Sequence, residues 1–173
     1  MKPYAERTHE KMRDVLMDPN AVGPTIHYYM VRGGSDKRNI TVWESGKIGG
    51  EYIKSYGHYH VGDLEETYTI LQGEGIIILQ GKIEDNDVKE FRAIKVKAGD
   101  KIHIPKNTGH LAINTGTTWL VTSDDSPTSL ADHADYEPFR KMRGAAYYVI
   151  EKDRKPTLMK NPLYKEVPNV SLE

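Results

Sequence analysis

Three histidines and a glutamate are spaced so that extended chain segments would bring them to one point. His58 and His60 stand two residues apart in Gly57-His58-Tyr59-His60. On a strand, residues i and i+2 project to the same face, so the two imidazoles converge. A short loop, Val61 to Glu65, returns the chain. Glu66 then opens an alternation with Tyr68 and Ile70 that Gly73 closes. Further along, Gly99 leads into Lys101–Ile104, Pro105 ends that run, and His110 opens another that reaches Asn114. Three imidazoles and a carboxylate suit one borderline divalent ion such as iron, manganese, nickel, cobalt or zinc. On an octahedral ion such a set leaves exchangeable positions, which is what a catalyst needs. Glu65 is the alternative carboxylate, but the count to Gly73 and the phase of Tyr68 and Ile70 favour Glu66. His103 lies close to the second group and is expected to line the interior, whereas His9 and His27 read as structural or exposed.

The elements that would position these groups are mostly strands. Short runs rich in Val, Ile, Thr and Tyr recur between Gly, Asn and Asp. Candidate strands are Ile26–Val31, Ile40–Glu44, Glu51–Tyr56, Thr67–Leu71, Gly75–Leu79, Phe91–Val96, Lys101–Ile104, Leu111–Asn114 and Trp119–Thr122, with a late one at Ala146–Glu151. Many short strands with tight turns imply an all-β antiparallel barrel or sandwich. Thr8 to Met17 reads as a short N-terminal helix stopped by Asp18-Pro19, and Glu137–Met142 as a minor C-terminal helical segment. The tail from Arg154, with its prolines, is expected to wrap the surface. No linker separates a second domain, so residues 1–173 are expected to form one domain with a core at about residues 26–151.

Composition narrows the chemistry. The chain of 173 residues is 38% hydrophobic and 28% charged, with a formal net charge of −1. That balance gives no basic excess for nucleic acid or an anionic membrane surface. There are no cysteines, which excludes disulfides, thiolate catalysis and Cys-ligated zinc. No apolar run is long enough to span a bilayer. The first residues carry no signal-peptide core, and a cytoplasmic location is the expectation.

The two histidine-bearing segments resemble the paired motifs of the cupin superfamily, G-x5-H-x-H-x3-4-E-x6-G and G-x5-P-x-G-x2-H-x3-N. His58, His60, Glu66, Gly73, Gly99, Pro105, His110 and Asn114 fall in place. Tyr52 stands where the first glycine would fall, just after Gly49 and Gly50, and Asn107 replaces a glycine of the second motif. Asn tolerates positive φ better than most residues. The resemblance implies a cupin jelly-roll barrel.

A wider stretch, Ile40 to Tyr52 running into Ser55-Tyr56-Gly57-His58, is similar to the cupin-type glucose-6-phosphate isomerases of archaea and some bacteria. Glu66-Thr67-Tyr68 matches that family's Glu-x-Tyr, and His133-Ala134-Asp135-Tyr136 echoes its His-Asp-Tyr segment. Gly144, Tyr148–Glu151 and Asn161-Pro162 follow in the family's order, so the likeness runs from Ile26 to Pro162. It implies metal ligation by His58, His60, Glu66 and His110, and a phosphate cradle from Thr41, Ser55 and the Gly57 backbone. It also implies substrate contact by Tyr136 and catalytic roles for Glu66 as base, Tyr68 in orienting hydroxyls and His133 in ring opening. A metal-assisted hydride shift would dispense with the base. The family is dimeric, so a homodimer acting on a sugar phosphate is expected. Where the family has Tyr-Pro-x-Asp-Ala-Gly, this chain reads Ser123-Asp124-Asp125-Ser126-Pro127-Thr128-Ser129, which removes a pocket aromatic and adds acids. The rival readings are an isomerase or epimerase of another sugar phosphate, an oxygen-dependent cupin dioxygenase, and a non-catalytic sugar-phosphate binder.

Overall fold

In a computed structural model, which describes residues 2–33, 38–126 and 134–173, the alternating segments become short antiparallel strands. In chain order they are β1 (Ala5–Thr8), β2 (Ile26–Gly33), β3 (Arg38–Trp43), β4 (Lys47–Ile48), β5 (Glu51–Tyr52), β6 (Tyr59–His60), β7 (Glu66–Gln72) and β8 (Glu74–Gln80). There follow β9 (Phe91–Lys97), β10 (Lys101–Ile104), β11 (Gly109–Asn114), β12 (Leu120–Asp124), β13 (Ala134–Asp135), β14 (Tyr147–Lys152) and β15 (Lys155–Lys160). Two helical turns accompany them, α1 (His9–Met12) and α2 (Glu137–Lys141).

Six strands form one sheet in the order β1-β2-β3-β12-β7-β10, and β11-β8-β9 form a second. Smaller pairings add β13-β6 and β15-β14-β5-β4. The all-β jelly-roll expectation holds, as a double-sheet arrangement in which no ladder joins the two main sheets among the described residues. Register on the large sheet decides what faces the interior. Arg32 pairs with Asn39, Asn39 with Asp124, and Asp124 with Tyr68, so these four share one row of one face. The next row holds Ala5, Met30, Thr41, Thr122 and Ile70. Arg7 opposite Tyr28, and Tyr28 opposite Trp43, continue the same face.

In the second sheet, β8 and β11 lack a polar alternation because both of their faces are covered, whereas β9 keeps Arg92, Lys95 and Lys97 exposed. Ile76, Ile77 and Ile78 in β8, and Leu111, Ala112 and Ile113 in β11, are all buried. The turns are held by residues the motif singled out. At Gly73, φ is +82°, and a Cβ there would come within 2.4 Å of the Trp119 carbonyl oxygen, so only glycine fits. Asn107 has φ of +60°, the left-handed conformation anticipated for it. Asn114 is fully buried; its Nδ2 donates to the carbonyls of Glu44 (3.0 Å) and Thr118 (2.8 Å) and its Oδ1 accepts from Gly116 N–H (3.0 Å). The motif asparagine is therefore a loop anchor.

Several expected boundaries move. The N-terminal helix is shorter: Thr8 caps α1 by accepting from the Lys11 N–H, a 3-10 turn over Arg13–Val15 follows, and the preceding residues form β1. The tail does not simply wrap the surface; Lys155–Lys160 pair with β14 as β15. Pro156 is tolerated because β15 is an edge strand. The expected strand Glu51–Tyr56 is ladder-paired only over Glu51–Tyr52, and the chain then runs beside β11 through isolated bridges at Lys54 and His58. No helix among the described residues is long and apolar enough to cross a membrane.

Candidate metal centre and substrate cavity

His58 and His110 face each other across an antiparallel bridge, each N–H donating to the other's carbonyl at 3.2 and 3.0 Å. Opposed residues share a face, and His60 lies two further along on that face. The ring centroids stand 4.3 Å apart for His58 and His110, 4.9 Å for His60 and His110, and 5.2 Å for His58 and His60. One nitrogen from each ring falls within 4.8 Å of the others. Glu66, at the start of β7, reaches in from the large sheet: its Oε2 lies 3.2 Å from His110 Nε2 and 3.4 Å from His60 Nε2.

The electrostatics suit a cation. Burial, aided by the neighbouring imidazole of His110, holds His58 well below its ordinary value and so neutral. Burial disfavours the charged form of Glu66, but the His110 and His60 rings and the Ser126 hydroxyl outweigh it and keep the carboxyl well below its usual range. Ser126 Oγ donates to Glu66 Oε1 at 2.5 Å. His110 Nδ1 lies 3.4 Å from the Thr108 carbonyl, a partner that would let the ring turn its Nε2 lone pair to a metal bound in the site. Glu66 Oε2 and His110 Nε2 are buried without a hydrogen-bond partner. Unpartnered buried acceptors cost stability, and here a divalent ion would satisfy them together. The residues present therefore fit a transition metal.

Over these ligands opens a cavity of about 290 Å³. His58, His60 and Glu66 line it together with Tyr68, Thr41, Asn39, Asp124 and Ser126, and with Tyr4, Arg7, Arg32 and Tyr136. Tyr68 is buried, set edge-on to His110 with ring centroids 5.7 Å apart, and burial keeps its phenol neutral as a donor. Tyr136 stands 5.5 Å from the His58 ring and edge-on to Tyr56 at 5.5 Å. Asp124 is a second buried carboxyl, pushed up to about 7 by burial and by the charge of Glu66, against donors from Asn39 Nδ2 (3.0 Å) and Ser126 N–H (3.2 Å).

Only part of the expected phosphate cradle lines the cavity. Thr41 lines the cavity; Ser55 and Gly57 do not. The Ser55 hydroxyl is engaged with the backbone of Ala112, accepting from its N–H at 2.9 Å. Gly57, with φ of +84°, lies against Leu111 and Phe139. His103 is also displaced from expectation. It is exposed on the outer side of β10, 3.8 Å from Glu65, because Ile102 and Ile104 take the inward phase. Glu65 thus belongs to the outside and Glu66 to the site. His133 lies outside the described residues. Arg7, Arg32, Asn39, Asp124 and Ser126 were not singled out from sequence; of these, only Asp124 gave a signal, as one of the added acids.

Residues 28–165 match the family model described as glucose-6-phosphate isomerase (GPI). The chain belongs to this family. Its GPI relatives include the glucose-6-phosphate isomerase of Thermococcus litoralis, 31% identical over 126 residues that cover 72% of this chain and 62% of that protein. That of Pyrococcus furiosus is 29% identical over 127 residues, covering 73% and 63%. The chain thus spans about three fifths of the length of these GPI relatives. Among solved structures, the Drosophila melanogaster CENP-C cupin domain superposes with a TM-score of 0.42 at 14% identity, covering 61% of this chain and 74% of that one. The GPI match begins at Tyr28, so it takes in every candidate metal ligand and leaves β1, with Arg7, outside.

Proposed function

We propose that this chain is a metal-dependent isomerase that interconverts glucose 6-phosphate and fructose 6-phosphate through the open-chain sugar. The observation that carries the reading is the meeting of three imidazoles and one carboxylate at the wall of a polar cavity, in a chain of the GPI family. His58, His60, Glu66 and His110 would hold one divalent ion, with iron(II) the first candidate and manganese, nickel, cobalt or zinc the others. Bound there, such an ion supplies Lewis-acid polarisation of the sugar's C1 and C2 oxygens.

The remaining work falls to the chain. In the aldose-to-ketose direction a base takes the proton from C2 while O1 gains one, giving a cis-enediol. O2 then loses its proton and C1 receives one, so the net change is zero. Glu66 is the proposed base, kept ionised and aimed inward, with Oε1 fixed by Ser126. Asp124 and Tyr68, adjacent in one row of the sheet, are placed to exchange protons with the sugar hydroxyls and to orient them. Met30 and Leu64 supply apolar wall that limits water around the reacting carbons.

This reading takes the enzyme as cytoplasmic and as a homodimer. The outer face of the large sheet supports pairing: Tyr29, Val31, Ile40, Val42 and Val121 stand in register there, only half-buried, beside the exposed Leu71. Sedimentation of the wild type and a Val42→Glu variant tests it; a wild type that sediments as a monomer overturns the dimer. The function itself is tested by a coupled isomerase assay on chelator-stripped protein with each divalent metal restored in turn. Turnover that depends on metal is expected. Metal-loaded protein that turns over neither sugar phosphate overturns the proposal.

A further inference from the structure

The cavity carries two cations that the isomerisation step does not use. Arg7 of β1 and Arg32 of β2 both line it. Arg7 stands opposite Tyr28, and Arg32 lies four residues further along β2, so the two project from the same sheet face with backbones ~13 Å apart along the strand. Both guanidinium groups rest on aromatic rings. Arg7 lies 5.3 Å from the ring centre of Tyr136, and Arg32 lies 4.8 Å from that of Tyr4. Neither forms an ion pair with a carboxylate among the described residues. Arg7 also lies within hydrogen-bonding reach of the Tyr28 and Tyr136 phenols, but a guanidinium has five N–H donors, and its planar fork matches two oxygens of a phosphate.

The opposite charge sits elsewhere in the same cavity. Glu66 and Asp124 belong to β7 and β12, whereas Arg7 and Arg32 belong to β1 and β2, with β3 between the two pairs. A dianionic phosphate entering this field is repelled from the carboxylate side and drawn to the arginine side. Of the residues expected to cradle it, Ser55 and Gly57 are not among those lining the cavity, and the Ser55 hydroxyl is taken up by the Ala112 backbone.

We propose that Arg7 and Arg32, with the phenols of Tyr4 and Tyr136, form the clamp that receives the phosphate of the substrate and so points its C1–C2 end at the His58, His60, Glu66 and His110 cluster. This rests on the reading that the substrate is a sugar phosphate. It assigns a specificity role to the N-terminal strand, which lies outside the span the GPI family model matches.

The test uses the full chain, inorganic phosphate as the probe, and the variants Arg7→Met, Arg32→Met, Arg7→Lys and Arg32→Lys. Calorimetric titration of phosphate into metal-stripped protein keeps binding at a metal out of the measurement. Wild-type protein should bind phosphate, each Met variant should bind at least about tenfold more weakly, and the Lys variants should recover part of the loss. Circular dichroism and metal uptake should match the wild type in every variant that is compared. In the metal-loaded enzyme the Met variants should raise KM for glucose 6-phosphate by a similar factor with a smaller change in kcat. Phosphate that does not bind the wild type, or binds the folded Met variants equally, overturns the clamp. If glucose 6-phosphate is turned over with KM unchanged in both Met variants, the clamp fails and the proposed function stands. If phosphate binding depends on the arginines but no sugar phosphate is turned over, the function fails and the clamp stands.

Discussion

Acidification below pH 6.5 should destabilise the fold through His27, before any carboxylate is fully protonated. The ring is fully buried, and the tautomers around it are fixed by geometry. His9 Nε2 lies 3.0 Å from the Ala21 carbonyl and so carries the hydrogen that donates to it. That leaves His9 Nδ1 as an acceptor, 3.0 Å from His27 Nε2, which must donate. His27 Nδ1 is then a bare lone pair with no partner. A proton added there is buried without an acceptor. Burial first, then the charges of His9 and Lys54, lower the group from 6.5 to about 4. For a basic group lowered in the fold, the neutral native form is favoured above the unfolded value. Its contribution is complete above pH 6.5 and is lost as pH falls toward 4. A change from 6.5 to about 4 corresponds to about 3 kcal/mol. Urea unfolding of metal-stripped protein at a series of pH values from 8 to 4 reads this directly. Wild-type stability should fall by about 3 kcal/mol more than that of a folded His27→Leu variant across the window. Equal slopes for the two proteins would refute the reasoning, as would a wild-type stability that stays flat down to pH 4.

Two other changes separate the site from the scaffold. Ser126→Ala removes the hydroxyl that fixes Glu66 Oε1, and it should weaken metal affinity about 10–100-fold with the fold intact, as measured by competition with a chelator. Lys54→Met leaves Glu51 buried without its cation; Lys54 Nζ also donates to the Val15 carbonyl at 2.6 Å. A loss of about 3–5 kcal/mol in urea unfolding is expected, with metal content per folded chain unchanged.

What was legible in the sequence is what short-range periodicity controls. The i, i+2 spacing of His58 and His60 needed only the parity of an extended chain, and it survives although the ladder there is broken into isolated bridges. Glu66 was separable from Glu65 by phase alone, since Tyr68 and Ile70 fix which side of β7 faces inward. Phase also contained the answer for His103, because Ile102 and Ile104 claim the interior of β10. β1 was hidden because four residues with a single mixed pattern carry no periodic signal, and a helix cap followed at once. β15 was hidden because Pro156 is a breaker everywhere except on an edge.

The larger gap concerns the substrate side of the cavity, and its cause is register between distant strands. Arg32, Asn39, Asp124 and Tyr68 form one polar row only because β3 pairs with β12 and β12 with β7. The Asn39–Asp124 hydrogen bond spans 85 residues of sequence. Nothing local announces such a row: Arg32 is an ordinary strand residue, and Asp124 lies beyond the expected end of its strand at Thr122. A one-residue slip in the β3–β12 ladder would send Asn39 or Asp124 to the outer face, leaving the His cluster with Glu66 but without the second carboxylate beside it. The motif therefore specifies where an ion can be held. The pairing of the long sheet specifies what can be bound next to it.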